Sequence, residues 1–588
     1  PDIALYLSDA NADLFDTPVV GAQVYKSENG GQSWTKTHEG FLDDIYYSYG
    51  YYFGMIHVDP TDSNRIYIYG VPMLTSPDGG KTFSTLDAPN AHVDHHALWI
   101  NPNNPKHLIN GNDGGVNISY DGGANWIKAN QPAVGQFYTV YADNQKPYHV
   151  YGGLQDNGVW EAPHNAKESV AWHQSGHNPW TSIMGGDGMQ IQVDKRNTNI
   201  VYTGYQFGNY FRINKETNKR TYIQPKHKLG EASLRFNWQT PILLSTHNND
   251  ILYLGSNKLH RSMDKGDQWT TISNDLTTGG KKGNVPYGTI NTIDESVFTF
   301  GQLVVGSDDG LIHLTKDGGT SWACISKTLP QNLWVSRVQF STHDPSRIYA
   351  TLNGYRWDDF TPYVYISEDL GASWRNISAN LPKSSVNVIR EDATHEQLLY
   401  VGTDNGLYVG VDKGADWYLF DENIPRVAVH DLFIQKEEND LLVGTHGRSI
   451  YLLELEAVQQ LPELVKQPFV ILQPKAQKHN KRWGQKKRVW YDAFKSKFEW
   501  TFFSKTQSDG VWTLTSEKGV VVYEEAIQLS KGLQKIPYAL HIQPEAVKSF
   551  NRKHKTKLSP KDDGNIYLPK GAYTILWNDE PQTSLIIE

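Results

Sequence analysis

The segment Ser119-Tyr-Asp-Gly-Gly-Ala-Asn-Trp126 decides the fold. An aspartate at its third position can accept backbone N–H groups of its own turn, and the glycines after it tolerate the positive φ that such a turn requires. The closing tryptophan is large and apolar, so we expect it to pack between neighbouring sheets. The pattern recurs in Ser27–Trp34, Ser76–Phe83, Ser262–Trp269, Thr315–Trp322, Ser367–Trp374 and, in degenerate form, Val411–Trp417.

The spacing of these segments predicts a repeat architecture. Their aromatic ends lie 43 to 53 residues apart, except for one gap of 143 residues between Trp126 and Trp269, which fits three repeats of which two have lost the motif. A period of roughly 40 to 50 residues with four short strands per repeat is typical of β-propeller blades. We therefore predict an all-β protein of propeller blades, each with strands A to D. Strands A are expected at 95–100, 137–141, 189–193, 241–245, 290–293, 335–340, 386–389 and 427–434.

The amino-acid composition agrees with an all-β protein and excludes some classes of partner. The 588 residues include 50 Gly, 33 Tyr and 18 Trp but 5 Met, which favours strands and tight turns over long helices. A net charge of −9 provides no general basic face, so we expect no nucleic acid partner. Apolar runs of membrane-spanning length are absent, so we expect no direct membrane insertion. The single cysteine, Cys324, excludes an intramolecular disulfide and a multi-cysteine metal site.

The strand count suggests how the blades are grouped. The first repeat offers strands B, C and D without a strand A, and the last repeat, 427–453, leaves the pattern after strand C. We therefore expect this chain to be the C-terminal part of a longer protein. Residues 1–134 would be blades of an incomplete first propeller, and residues 135–455 a second, seven-bladed propeller. A single ten-bladed ring is the alternative.

A change of composition after Glu454 predicts a separate C-terminal module. Residues 456–467 read as a linker. Short alternating strands in 468–588, ending in a hairpin of Gly571–Trp577 with Thr583–Ile587, predict an immunoglobulin-like or fibronectin-like β-sandwich. The basic segment Lys475–Lys487 is expected to be a solvated loop or a strand edge.

Six further motifs occur in addition to the repeats. They are His92–Pro102, Gly111–Gly115, Tyr151–Gly158, Gly185–Gly188, Arg235–Pro241 and Gly444–Arg448. Together they resemble the bacterial Asp-box, or neuraminidase-repeat, propeller proteins that are labelled glycosyl hydrolases and carry a sortilin-type domain, as in Bacteroidetes. The resemblance covers about residues 1–455. It implies a protein that is secreted, periplasmic or on the cell surface of a Gram-negative bacterium. The hydrolase label itself rests on repeat similarity, and a shared fold does not establish chemistry.

Propeller topology indicates where a ligand would bind. The D-to-A and B-to-C connections reach one face, so unusual polar and aromatic groups in those connections are the binding candidates. Several of the aspartates, including Asp113, are equally explained as turn formers. The ligand-binding candidates are His92, His95, His96, Gln155, Asp156, Asn157, Asp187, Arg235, Trp238, Arg356, Asp358, His446 and Arg448.

One cluster among these raises the question of a metal. His92, Asp94 and His96 would have to share one side of a strand to bind an ion, while His95 faces the other side. Hydrogen bonding between blades is the competing interpretation. Apart from a structural calcium ion, we expect no cofactor.

Three functional classes follow from these residues. The first is binding of a glycan or protein ligand on the polar face, with aromatic anchors in the loops 46–53 and 355–360. The second is a glycoside hydrolase acting through a carboxylate pair, for which Asp156 and Asp187 are the catalytic candidates. The third is a structural subunit of an outer-membrane-associated assembly, completed by a partner or by the missing N-terminal part of the same protein. No sequence signal unites Arg235, Arg356 and Arg448 into the arginine triad of a sialidase.

Overall fold

A computed structural model of the protein describes residues 2–6, 22–47, 49–50, 52–88, 90–129, 133–167, 179–279, 287–420 and 424–588, with backbone alone for 2–6. They form two compact units. Unit 1 comprises Pro1–Gln136 and Gln145–Met189, and unit 2 comprises Phe137–Asn144 and Gln190–Glu588. These bounds differ from the expected division between residues 134 and 135, which stays a prediction. The helices in the described part of the chain are too short or too polar to cross a membrane.

Unit 1 consists of small antiparallel sheets that follow one another along the chain. Strands β1 to β3 form the first sheet, β4 to β7 the second and β8 to β11 the third, and β13 to β15 pair in sequence order. Their bounds are β1 Asp2–Tyr6, β2 Gln23–Ser27, β3 Thr35–Lys36, β4 Met55–Val58, β5 Ile66–Tyr69, β6 Met73–Ser76, β7 Ser84–Thr85, β8 His95–Ile100, β9 Leu108–Asn112, β10 Gly115–Ser119, β11 Ile127–Ala129, β13 His149–Leu154, β14 Gly158–Pro163 and β15 Thr181–Met184.

Unit 2 continues the pattern with strand β12 (Phe137–Ala142) and six further sheets in sequence order. Five of these sheets have four strands and the last has three. Their bounds are β16 Gln192–Val193, β17 Ile200–Tyr205, β18 Asn209–Asn214, β19 Lys219–Tyr222, β20 Ile242–Leu244, β21 Leu252–Gly255, β22 Leu259–Ser262, β23 Thr270–Thr271, β24 Ile290–Glu295, β25 Leu303–Ser307, β26 Ile312–Thr315, β27 Ala323–Cys324, β28 Trp334–Phe340, β29 Ile348–Gly354, β30 Asp359–Ser367, β31 Arg375–Asn376, β32 Val386–Glu391, β33 Leu399–Thr403, β34 Gly406–Val411, β35 Asp416–Phe420, β36 Val429–Gln435, β37 Asp440–Thr445 and β38 Ile450–Glu454.

The first strands of these sheets surround a common space. Strand β16 packs on β20, β20 on β24, β24 on β28, β28 on β32, β32 on β36, and β36 on β12. Residues from these seven strands, among the described residues, line a cavity of about 380 Å³. The expected all-β architecture of consecutive four-stranded sheets is thus confirmed, and its arrangement in unit 2 is propeller-like.

The repeated aspartate turns work as their sequence predicts. In the turn at Asp317, the carboxylate accepts Ser321 N at 2.9 Å and the Thr315 hydroxyl at 2.8 Å, while that hydroxyl accepts Gly319 N at 3.0 Å. These hydrogen bonds stabilise the charged form and lower the pKa of Asp317 to about 2. The turns at Asp78, Asp121, Asp264 and Asp369 have the same hydrogen bonds from the residue four positions on and from the preceding hydroxyl.

The tryptophan that closes each turn ties its sheet to the preceding one. The indole N–H of Trp322 donates to the carbonyl of Ile272, just after β23, at 2.9 Å. The other pairs of this kind are Trp126 to Leu86, Trp269 to Ile223, Trp374 to Ile325 and Trp417 to Ile377. Trp34 differs, because 42% of its surface is exposed. Each bond satisfies a partly or fully buried donor and sets the spacing of two sheets.

A buried carboxylate forms a second tie between sheets. Glu391, at the end of β32, accepts hydrogen bonds from Ser341 Oγ at 2.8 Å and Tyr349 OH at 2.8 Å, both from the preceding sheet or its connection. The guanidinium of Arg347 lies 3.4 Å away, and both charged side chains are nearly inaccessible to solvent. The same set of residue types recurs two sheets earlier as Ser245, Tyr253 and Glu295.

The segment 456–467, expected to be a linker, contains two short helices. A 3-10 helix over Val458–Gln460 continues into α1, Leu461–Leu464. Val458, Leu461 and Leu464 are buried in a cluster with β33, β34 and β36 to β38. The apolar spacing of three residues places these side chains on one helical face, a pattern that the composition-based linker assignment overlooked.

The C-terminal residues form a separate packed module within unit 2. Sheet β39-β40-β43 and sheet β42-β41-β46-β47 enclose a core around the fully buried Trp500 and Trp512, with helix α2 packed on it through Phe550. The predicted final hairpin is confirmed as β46 paired with β47. The bounds are β39 Phe469–Ile471, β40 Glu499–Ser504, β41 Ser508–Ser516, β42 Val521–Leu529, β43 Gly532–Pro537, β44 His541–Ile542, α2 Pro544–His554, β45 Ile566–Tyr567, β46 Gly571–Trp577 and β47 Glu580–Ile587.

The buried tie at Glu391 leads to a stability prediction. Glu391→Ala leaves the guanidinium of Arg347 buried without its closest carboxylate, so we expect a loss of roughly 3 to 5 kcal/mol in the free energy of unfolding. Urea denaturation followed by tryptophan fluorescence measures the change. Glu396→Ala is the control, because this carboxylate also lies 3.5 Å from Arg347 but is about half exposed; its loss should cost under about 1 kcal/mol. Equal effects of the two variants would contradict the assignment.

Candidate functional site

The predicted binding residues divide between the two units. His92, His95, His96, Gln155, Asp156, Asn157 and Asp187 belong to unit 1, and Arg235, Trp238, Arg356, Asp358, His446 and Arg448 belong to unit 2. In unit 1 they occupy the segment entering β8 and its first two residues, the turn between β13 and β14, and the segment after β15. Hydrogen bonds bring His92, His96, Asp156, Asn157 and Asp187 together with Asp113, and these residues form the candidate site.

Hydrogen bonds join the two turns of unit 1 directly. The side-chain amide of Asn157 donates to the carbonyl of Asp113 at 2.8 Å, and Asp156 N donates to the Asp187 carboxylate at 2.8 Å. His96 Nε2 lies 2.8 Å from Asp113 Oδ1. Asp156 has a φ of 60°, a left-handed conformation that Asp tolerates in turns. The backbone is thus held in the conformation that brings the Asp156 side chain to Asp113.

His92 has two acceptors and no donor among these contacts. Its Nε2 lies 3.1 Å from the carbonyl oxygen of Asp156, and its Nδ1 lies 2.8 Å from that of Val93. These two contacts fix the ring of His92 between the turn that carries Asp156 and the segment that enters β8.

His95 faces away from this cluster, as strand alternation predicts. It is buried, and its ring nitrogens lie 2.8 Å from Asn110 Oδ1 and 3.4 Å from Asp87 Oδ1. These contacts connect β8 to β9 and to the segment before it. His95 therefore has a structural role and does not belong to the candidate site.

Two carboxyl groups in this cluster share a hydrogen bond. Burial, the nearby charges of Asp113, Asp187 and Asp94, and a side-chain hydrogen bond with Asp113 raise the pKa of Asp156 to about 7. Burial and the charge of Asp113 also raise the pKa of Asp94. Asp156 therefore gains and loses its proton near neutral pH, because burial and neighbouring carboxylates disfavour its ionised form.

Asp187 has a different role from the one expected of a catalytic partner. Its side chain accepts the Asp156 backbone N–H, and the residue is 7% exposed. It is therefore a positioning residue for the turn, whereas Asp94, Asp113 and Asp156 are each partly accessible. The carboxyl that pairs with Asp156 is that of Asp113.

Aromatic rings border the acidic residues. The rings of Tyr52 and Phe53 both lie 5.4 Å from the ring of His96. Tyr52 is 66% exposed, while Phe53 is buried and fixes the loop to the sheet below. We call Tyr52, His96, Asp94, Asp113 and Asp156 the acidic–aromatic surface. Of the expected aromatic loop 46–53, residues 48 and 51 lie outside the described residues.

The proposed metal ligands do not form a metal site. No group of three or more His, Cys, Asp or Glu side chains that could hold a metal ion occurs in the part of the chain that the structure describes. His92, Asp94 and His96 have the separate contacts given above.

Arg235 and Trp238 belong to unit 2. The guanidinium of Arg235 donates to Gly288 O at 3.1 Å and to Asp275 at 2.9 Å, which ties it to neighbouring loops. Trp238 is 39% exposed and packs edge-to-face on Phe207. Arg235 therefore has a structural role in this structure, and Trp238 retains an accessible ring.

The remaining candidates of unit 2 are in three different settings. Arg356 lies over the ring of Trp334 at 4.1 Å, and Asp358 ends the 3-10 helix Tyr355–Trp357 in a left-handed conformation. His446 stacks on His430 at 4.3 Å, and burial lowers its pKa. Arg448 is exposed. These residues do not reproduce a group of arginines converging on one carboxylate.

The cavity of unit 2 contains charged residues that the sequence analysis did not select. Arg337 Nη2 lies 2.7 Å from Asp431 Oδ1, and the other oxygen of Asp431 accepts the Thr139 hydroxyl at 2.9 Å. Burial raises the pKa of the nearby Asp294 to about 7, and burial with the charge of Arg337 lowers that of Arg390 to about 10. Their signal in the sequence was a charged residue inside an otherwise apolar strand A. The bonds of Asp431 join strands β36 and β12.

The raised pKa of Asp156 predicts a pH-dependent stability. Its ordinary pKa is 3.8 and its folded value is about 7, so between these values the folded state binds more protons than the unfolded state. The contribution of Asp156 to stability is therefore lost as the pH rises from about 4 to about 7. Asp156→Asn keeps the turn and removes this loss. We expect its stability relative to the original protein to rise by on the order of 1 kcal/mol between pH 5 and pH 8, a value reduced for partial solvent screening.

Chemical denaturation at pH 5 and pH 8 measures this difference. Asp358→Asn is the matched control, since Asp358 has the same φ of 60° but is exposed in a different turn. A difference between Asp156→Asn and the original protein that is the same at both pH values would contradict the raised pKa of Asp156.

Comparisons with known proteins do not assign the chain to a family. No protein-family model matches the chain, and no curated protein matches it. Among solved structures, one similar chain is the extracellular domain of a protein described as a hybrid two-component system from B. thetaiotaomicron. The TM-score is 0.39 and the identity 13%, over 97% of this chain and 78% of that one. The resemblance to Asp-box and sortilin-type proteins stays a prediction, and the function has to be argued from the site itself.

Proposed function

We propose that the protein binds a glycan at the acidic–aromatic surface of unit 1. The observation that carries this proposal is continuity between an exposed ring and a carboxyl pair. Tyr52 lies against His96, His96 is hydrogen-bonded to Asp113, and Asp113 shares a hydrogen bond with Asp156. An accessible aromatic ring beside clustered polar groups can contact the apolar face of a sugar and its hydroxyls together.

The protonation of the site favours hydroxyl ligands. A carboxyl pair with one proton offers both a donor and acceptors, and so can pair with a hydroxyl in either direction. Asp94 adds a carboxylate, and His96 has its Nε2 turned toward Asp113. The excess of carboxylates disfavours anionic sugars, because like charges repel at short range. We therefore propose a neutral or amino-sugar glycan rather than a sialic acid.

The architecture suits a binding protein. We propose that the seven first strands around the cavity of unit 2 belong to a seven-bladed propeller and that the C-terminal module is immunoglobulin-like. The turn residues at the ends of such blades vary without disturbing the sheets, so they are suited to recognition. We further propose an exported or cell-surface location, for which the family resemblance in the sequence is the support.

A glycoside hydrolase is the second candidate. It is favoured by the pKa of about 7 for Asp156, since a general acid at neutral pH needs such a value. Retaining and inverting glycosidases hold their two carboxyl groups about 5 Å apart or more, to leave room for the sugar or water. Asp113 and Asp156 are in direct hydrogen-bond contact, and Asp187 is buried, so the geometry supports binding better than hydrolysis.

Glycan binding is tested with Tyr52→Ala and Asp113→Asn. We expect the protein to bind members of an array of neutral plant and bacterial glycans. For those glycans we expect each substitution to weaken binding at least about 10-fold, the loss of one stacked ring or one charged hydrogen bond. Isothermal titration calorimetry with the ligands found on the array measures the dissociation constants.

Two controls and one further assay make the outcome decisive. Tyr355→Ala and Asp358→Asn remove an exposed tyrosine and an exposed aspartate from a turn of unit 2, and we expect no effect on binding. Equal losses for all four variants, or no glycan bound by the original protein, would reject the proposal. Release of reducing sugars from a bound polysaccharide, abolished in Asp156→Asn, would replace it with the hydrolase.

A further inference from the structure

The charge of the chain is unevenly distributed. Residues 475–588 contain 20 of its 55 Lys and Arg but 12 of its 64 Asp and Glu, a net charge of +8, which leaves −17 for residues 1–474. Within 475–497 there are nine Lys and Arg and one acidic residue, Asp492. The overall net charge of −9 is therefore the sum of an acidic part, residues 1–474, and a basic part, residues 475–588.

The basic segment forms a loop with a fixed base. Gly484 N donates to Phe494 O at 2.8 Å, and Phe494 N donates to Gln485 O at 3.0 Å, so the chain from 485 to 494 leaves and returns at one place. Lys486 N donates to the Asp562 carboxylate at 2.8 Å, which attaches the base to a neighbouring turn. The buried Trp483 lies directly before the loop and packs into the core of the module. The base of the loop is thus anchored, and the residues between 485 and 494 project from it.

The tip of the loop exposes apolar side chains. Val489 is 85% exposed, Trp490 74% and Tyr491 48%. A bond from Tyr491 N to Arg488 O at 2.9 Å closes a turn that holds these residues side by side. Isolated exposed apolar residues are ordinary, but adjacent ones on a projecting turn leave apolar area in water that a binding event can remove.

Cations flank this apolar tip. Lys486, Lys487 and Arg488 precede it directly and are exposed. The guanidinium of Arg488 lies 5.7 Å from the ring of Trp490, so the cationic head and the aromatic ring occupy neighbouring positions. Trp and Tyr favour the boundary between the headgroups and the acyl chains of a bilayer, while Lys and Arg next to a bilayer are attracted by anionic headgroups.

We propose that this loop docks the protein on a bilayer that carries anionic lipid headgroups. Trp490 and Val489 enter the interfacial region, and Lys486, Lys487 and Arg488 contact the headgroups. A soluble polyanion would satisfy the cations but would leave Val489 in water, so the apolar tip favours the bilayer. The proposal revises the sequence-based expectation of no direct membrane insertion, and it is independent of the glycan site in unit 1.

Vesicle binding of the full chain tests the proposal. We expect co-sedimentation with phosphatidylcholine vesicles containing 30% phosphatidylglycerol, and at least about 10-fold weaker partition to phosphatidylcholine alone or at high salt, because salt screens the cations. The double substitution Val489→Ser with Trp490→Ser should lower the partition about 10-fold or more. Val521→Ser is its control, since Val521 is 46% exposed on strand β42.

The contribution of the cations to vesicle binding is tested in the same way. Lys486→Glu with Lys487→Glu should weaken binding about 10-fold, whereas Lys505→Glu with Lys518→Glu, an equal change of charge elsewhere in the module, should have a smaller effect. Circular dichroism confirms that each variant is folded. Failure of the original protein to bind anionic vesicles overturns the proposal, and so does unchanged binding by the Val489 and Trp490 variant. If the original protein and the Val489 and Trp490 variant both bind heparin tightly and neither binds vesicles, the ligand is a soluble polyanion instead. If the protein self-associates with increasing concentration and does not bind vesicles, the partner of the loop is a second copy of the chain.

Discussion

The hydrogen bond from the indole of five closing tryptophans to a carbonyl at the end of the preceding sheet is the constraint on which this structure depends. A sheet of four short strands cannot bury its faces alone, so each must pack against its neighbours. The aspartate turn positions the tryptophan, as at Trp322, and the indole N–H then donates to Ile272 O. Buried acids such as Glu391 add a second tie between sheets. Repetition of these contacts along the chain sets the order of the sheets.

Because the sheets are stable, the turns that connect them can hold side-chain arrangements that cost free energy. Asp156 is in a left-handed conformation, and burial together with the charge of Asp113 raises its pKa to about 7. Such a pair would separate in a mobile loop, because like charges repel and water would solvate each one. The amide of Asn157 and the carboxylate of Asp187 hold the turn instead. Polar recognition groups can therefore be concentrated at the ends of strands at the expense of local stability.

Much of the fold could be predicted because its signals are local. The aspartate turns, the first strands such as β12 and β28, and the final hairpin follow from spacing and turn residues within short windows. The helical segment Leu461–Leu464 was missed, because proline content outweighed an apolar spacing of three. Only part of the candidate site could be predicted from the sequence. His92, His96 and Asp156 stood out by residue type, but the pairing of Asp156 with Asp113 joins turns 43 residues apart, and no local pattern records such a contact.

By itself, the sequence determined that the protein is all-β, that it is built of repeated short strands, and that the aspartates and tryptophans of its repeated motif serve its turns. These properties depend on hydrogen bonds between residues a few positions apart. The tertiary structure alone decided that the polar candidates separate between two units, that Asp113 rather than Asp187 pairs with Asp156, and that the basic segment near Trp490 ends in an apolar tip. Those outcomes depend on distance and burial in space, and side chains far apart in the chain acquire both when the sheets pack.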